Sequence, residues 1–198
     1  MAKPIINLQD FQGDECKPQY RGILHAEGYQ VATDGIMLVI CQRPYVPEYE
    51  GKVVDGDKIK DICPPFTLRS VRSLIPADLN EWENVPIDYK LIETWYSNEL
   101  IPWRKTQTSN KDAFWRGRVQ ILNTQYDATY LQKFLRVAKK IKAKDFYLSP
   151  IRPATSEIRR YVASKTRSLY AFGELDGQRV EIFLMYCEPI ETKTLIIQ

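Results

Sequence analysis

Lys133, Arg136, Lys139 and Lys140 stand three, three and one residues apart. On a helix that spacing gathers four positive charges on one side. Such an array suits phosphate oxyanions, which it meets as charge without reading bases. Other chemistry is scarce. The one histidine, His25, leaves little for Ser-His or Cys-His catalysis, and it falls in a strand-like run where a structural role is expected. Cys16, Cys41, Cys63 and Cys187 lie far apart with no Cys-x-x-Cys pair, so no zinc site is expected and the four read as reduced thiols, mostly buried. No phosphate-cradling glycine loop, dinucleotide fingerprint, zinc-helix motif or nucleophile elbow occurs. Carboxylates are plentiful, but no pair is spaced to sit together on a helix face. Asp34, ahead of Gly35, reads as a turn residue before it reads as a general base. The expectation is a protein that is not an enzyme, with no cofactor and no metal.

The element that must position the four cations is "DATYLQKFLRVAKKIKAKD". Asp127 suits an N-cap, because its carboxylate can accept the first free N–H groups. Tyr130, Leu131, Phe134, Leu135, Ala138 and Ile141 share one face at 3.6-residue spacing, and the cations take the opposite face. Basic residues also favour the C-terminal end, where the helix dipole is negative. Two readings stand for these charges: a phosphate-contacting surface, or a solvated face that needs no partner.

Strands are expected on both sides of this helix. "RGILHA", "YQVAT" and "IMLVIC" read as a three-stranded meander, with Ile36, Leu38 and Ile40 on one face. Asp34-Gly35 between the last two reads as a type I′ turn, in which both central residues take positive φ. "RVQILN" and "FYLSPI" read as single strands. "SLYAFGEL" and "QRVEIFLMY" flank Asp176-Gly177 as a second hairpin. The fold class is therefore α+β, with antiparallel sheets and one or two packed helices.

The rest is less patterned. Residues 43–66 are rich in Pro and charge and read as a long connection with one short strand at most; residues 66–75 suit a short helix ended by Pro76. Residues 77–117 hold Trp82, Trp95, Trp103 and Trp115, either an aromatic surface for a protein partner or for bases, or a satellite core beneath an inserted lobe. Residues 109–114 read as a mobile loop, and residues 152–167 carry Arg152, Arg159, Arg160, Lys165 and Arg167. The 198 residues carry 44% hydrophobic and 27% charged side chains, which is ordinary for a globular chain. Net charge is +3, too mild to draw nucleic acid without a local patch. The N-terminus lacks the long apolar core of a secretory signal, and no stretch reaches the roughly 18 apolar residues of a membrane span. A cytoplasmic protein without membrane contact is expected.

In order along the chain, "YRGILHAEGYQVATDGIMLVI", "NTQYDATYLQKFLRVAKKIKAKDFYLS" and "SLYAFGELDGQRVEIFLMYCEPI" resemble three segments of one domain of bacterial DNA polymerase sliding clamps, the beta-subunit family. They cover roughly residues 15–45 and 118–190. "VATDG" before an apolar run is the most specific piece. The chain departs from the family at Ile36-Met37, where a His-Arg pair is usual, and at residues 45–117, which resemble an insertion or a divergent lobe.

The resemblance implies a single clamp-like domain over residues 1–198. Family domains set helices inside a ring and sheets outside, so that Lys and Arg face a duplex that slides. It implies that Lys133, Arg136, Lys139 and Lys140 are the DNA-facing charges. A family subunit carries three such domains and this chain has room for one, so self-association enters as a further expectation. Two functions follow: a non-enzymatic, sliding-clamp-like protein that touches duplex phosphates without sequence specificity, or a protein-interaction module with no nucleic acid.

Overall fold

Alternating apolar residues near both ends of the chain pair into one sheet. The computed structural model describes residues 6–13, 20–43, 46–56, 58–60, 72, 75–106, 117–151, 166–187 and 192–197. Strands β1 (Ile23–Ala26), β2 (Tyr29–Thr33) and β3 (Met37–Gln42) form the meander. β4 (Lys52–Asp55) and β5 (Lys58–Lys60) extend it past β1. On the other side β3 pairs with β11 (Gln178–Leu184) of the second hairpin, whose partner is β10 (Leu169–Leu175). β9 (Phe146–Leu148) and the short β6 (Glu83–Asn84) complete the order β5-β4-β1-β2-β3-β11-β10-β9-β6, and every pairing in this sheet is antiparallel. The two hairpins are thus joined edge to edge by residues about 140 positions apart, such as Val39 opposite Ile182.

A smaller sheet has the order β12-β7-β8, from β7 (Arg118–Ile121), β8 (Thr124–Asp127) and β12 (Thr194–Ile197). β12 runs parallel to β7, so this sheet is mixed and not purely antiparallel as expected. The helices are α1 (Tyr89–Trp95), which continues through one wider turn at Tyr96–Leu100 into α2 (Ile101–Thr106), and α3 (Ala128–Lys140). The class is α+β.

The strand period of two buries both faces of the large sheet. Met37, Val39 and Cys41 of β3, with Leu169, Ala171, Ile182 and Leu184, join the main core under α3. Ile40, Tyr170 and Phe183 point the other way, into a second cluster with Leu24, Val31 and Val53. Ile36, Leu38 and Ile40 do not share one face as expected: Leu38 and Ile40 lie with the second cluster, whereas Ile36, just before β3, packs against the main core.

Several expectations change. Glu27-Gly28 (φ 56 and 79) and Asp176-Gly177 (φ 51 and 74) are the two-residue turns with both φ positive. At Asp34-Gly35 only Gly35 is left-handed, with φ 86. Asp34 instead accepts the N–H groups of Ile36 and Met37 on Oδ1, both at 2.9 Å, so its side chain closes a longer turn. Residues 43–66 hold two strands, β4 and β5, where one at most was expected. Trp95 is 5% exposed in the main core, Trp103 is half-buried against it, and Trp82 packs on Tyr170 at 5.4 Å between rings on the other face. The three described tryptophans thus extend the two existing cores and do not form a separate one among the described residues. Trp115, Cys16, Cys63, the expected loop at 109–114 and most of the expected helix at 66–75 lie outside the described residues, as do Arg152, Arg159, Arg160 and Lys165.

Candidate nucleic-acid interface

Helix α3 is fixed at both ends. Asp127 closes β8 and caps the helix: its Oδ1 accepts from the N–H groups of Thr129 (2.8 Å) and Tyr130 (3.2 Å). Its Oδ2 lies 3.5 Å from Arg118 Nη1, directly across the β7–β8 ladder, and both residues are nearly sealed from water. The sequence thus spends a single carboxylate on two tasks, capping a helix and neutralising a buried cation. At the far end Ile141 caps the helix, and its carbonyl accepts the N–H of Glu174 at 3.1 Å on β10. Gly173 permits that approach, because a β-carbon there would overlap the Ile141 carbonyl.

Between these ends Leu131, Phe134, Leu135 and Ala138 are buried, as is Ile141 beyond them. Tyr130, expected with them, is half-buried, and Ala128, Gln132 and Val137 are buried too. Arg136, Lys139 and Lys140 are exposed on the outer side. Lys133 is half-buried: its ammonium donates to the Asp10 carbonyl and lies 4.5 Å from the centre of the Phe11 ring. It pins the short turn at Leu8–Phe11 to the helix. No ion pair between described residues uses any of the four cations. The four candidate residues therefore share one helix side, with three reaching solvent and one tied down.

A cleft of about 630 Å³ opens over the N-terminal half of this side. Thr129, Tyr130, Gln132, Lys133 and Arg136 of α3 line it, with Tyr96 and the buried Asp34 from outside the helix. Arg104 ties the Tyr96 wall to the helix: it donates to the Thr129 hydroxyl at 3.0 Å and to the Tyr96 hydroxyl at 3.4 Å. Its guanidinium sits 5.4 Å from the centre of the Tyr96 ring. Gln132 is 6% exposed, and among the described residues its amide nitrogen has no hydrogen-bond partner. No motif or spacing singles out Gln132, Tyr96 or Arg104. On the helical wheel Gln132 falls among the cations, between Arg136 and Lys139, where the pattern leads one to expect an exposed side chain and not a buried one.

Other ionisable groups are occupied elsewhere. Burial lowers the pKa of His25, against the raising effect of Glu50. Burial pushes the Cys41 thiol up to about 11 despite the nearby Arg43. Tyr170 donates to Glu181 at 2.8 Å, and Arg179 pairs with the same carboxylate at 2.7 Å, a closed network beneath the second cluster. A second cavity of about 490 Å³ includes Glu83 and Arg167, which pair with each other. Arg167 also donates to the carbonyls of Ser149 (2.6 Å) and Leu148 (3.2 Å), so its donors serve the fold. Among the described residues no group of three or more His, Cys, Asp or Glu is placed to hold a metal ion, and no helix is long and apolar enough to cross a membrane.

Comparison with known proteins found no matching family model, no matching curated protein and no matching solved structure.

Proposed function

We propose that the chain is a non-enzymatic, sliding-clamp-like protein of the cytoplasm that contacts duplex DNA phosphates without sequence preference. The observation that carries this reading is α3 itself. Its apolar side is packed on the large sheet, its two ends are bolted to β8 and β10, and Arg136, Lys139 and Lys140 reach solvent without ion-pair partners among the described residues. Three cations on a rigid helix can follow a phosphate backbone while carrying no base-reading geometry. Lys133 adds positive charge, and adds a direct contact only by releasing Asp10. The order of the two hairpins around α3 supports the clamp resemblance. One such domain encircles DNA only by assembling with further copies.

The alternative is a protein-interaction module. Leu91 (45% exposed) and Ile101 (37% exposed) on the α1–α2 segment favour it, since a partner there would meet these residues and not the inward tryptophans. Titration of duplex DNA at low salt, beside size-exclusion chromatography, separates the two. Binding that is indifferent to sequence and weakens steeply with salt is expected. Stable self-association without DNA binding would favour the interaction module.

A further inference from the structure

We propose that the cleft beside α3 seats one phosphate-bearing nucleotide, with Gln132 and Arg136 on the phosphate and the Tyr96 and Tyr130 rings beside the sugar and base. The proposal deepens the DNA-contact reading and rests on it for the source of the nucleotide. A volume of about 630 Å³ falls within the range of small-ligand pockets, about 300–1,000 Å³. Its charged lining is two cations, Lys133 and Arg136, against the carboxylate of Asp34. Asp34 already accepts two of its own turn's N–H groups, and the carbonyl that holds Lys133 leaves the ammonium charge intact.

Gln132 supplies the second, independent observation. A buried amide nitrogen without an acceptor opposes stability, and native chains keep few of them. Gln132 lines the cleft, and its terminal amide turns about a torsion with a broad, roughly two-fold profile. A phosphate offers several acceptor oxygens to Gln132 and Arg136 together, with the Lys133 charge beside them. Two aromatic rings then favour a nucleotide over an acidic side chain, because a base has a flat face to lay against them.

The test titrates the protein with deoxyadenosine monophosphate and with inorganic phosphate, followed by NMR shifts. The nucleotide is expected to bind more tightly than phosphate alone. Gln132→Glu is expected to weaken it by about tenfold or more, since a donor to an anion becomes a like charge. Lys58→Ala, on the exposed edge strand β5 and outside the cleft, is expected to leave nucleotide binding unchanged. Gln132→Leu keeps the test alive should the Glu variant unfold: it deletes the unsatisfied donor, so it is expected to melt no lower than the parent while also losing the nucleotide. No nucleotide binding by the parent, or unchanged binding by folded Gln132 variants, overturns the proposal. So does equal competition by an acidic peptide. Preference for a phosphorylated over an unphosphorylated duplex end assigns the source to a strand end; nucleotide binding without that preference assigns it to free nucleotide. Duplex binding is read separately. Nucleotide bound without duplex leaves the cleft standing and removes the clamp reading; duplex bound without nucleotide does the reverse.

Discussion

The carbonyl of Ile141 rests against Gly173, and the next residue of β10, Glu174, donates its N–H to that carbonyl at 3.1 Å. This contact sets how closely the end of α3 approaches the sheet. The φ of Gly173 is not in the left-handed region, so the glycine is there for space alone. Gly173→Ala is therefore expected to lift the helix end and to destabilise the fold by about 1–3 kcal/mol, the usual range for overpacking. Chemical denaturation measures it; an unchanged midpoint would show that the helix end yields freely.

The other end of the helix makes a different prediction. Asp127 both caps α3 and faces the buried Arg118. Asp127→Ala removes the cap and strands a buried charge, so a loss of about 3–5 kcal/mol is expected. Asp127→Asn keeps a capping oxygen and loses only the charge, and its cost is expected to be smaller. Equal losses in the two variants would mean that the cap contributes nothing measurable.

His25 gives the fold a pH dependence. Its ring packs edge-on to Tyr49 at 5.2 Å, and its Nδ1 accepts from Gln30. Burial lowers its pKa in the folded state, so the folded chain binds the proton less readily than the unfolded chain. The contribution is complete above the unfolded value of about 6.5 and is lost as pH falls below it. Stability compared at pH 8 and pH 5 is expected to drop more in the parent than in His25→Gln. Parallel profiles would remove His25 from the acid limb.

Cys41 is buried and free, with its thiol pushed up to about 11 by burial, whereas Cys187 is half-buried. Because the thiolate is the reactive form, alkylation of the native protein at pH 8 is expected to spare Cys41 until the chain unfolds. Peptide mapping of the modified protein checks this; rapid native labelling at Cys41 would mean that β3 opens locally.

The helix and the two hairpins were legible in the sequence because each carries its own period: Leu131, Phe134, Leu135 and Ala138 for α3, Val180, Ile182 and Leu184 for β11. What joins them was not. The β3–β11 pairing and the parallel β12–β7 pairing link residues far apart in sequence, and local patterning holds no information on such register. β6 and β8 are too short to show alternation. At Asp34 the dipeptide rule misled, because the carboxylate bonds its own backbone and so needs no positive φ. For the candidate interface, the cationic side of α3 could be read from spacing, but the commitment of Lys133 to Asp10 depends on a contact across 123 positions. The cleft depends likewise on Tyr96 and Asp34 arriving from separate elements.

The most direct test of the central claim is the salt dependence of duplex DNA binding by the parent and by a variant in which Lys133, Arg136, Lys139 and Lys140 are all replaced by Ala. Each phosphate contact contributes a slope of about −0.9 in log affinity against log salt. With Lys133 held by Asp10, the account expects the variant to bind more weakly and to lose about three contacts' worth of slope. Equal affinity and equal slope in the two proteins would contradict it and remove α3 from any DNA surface.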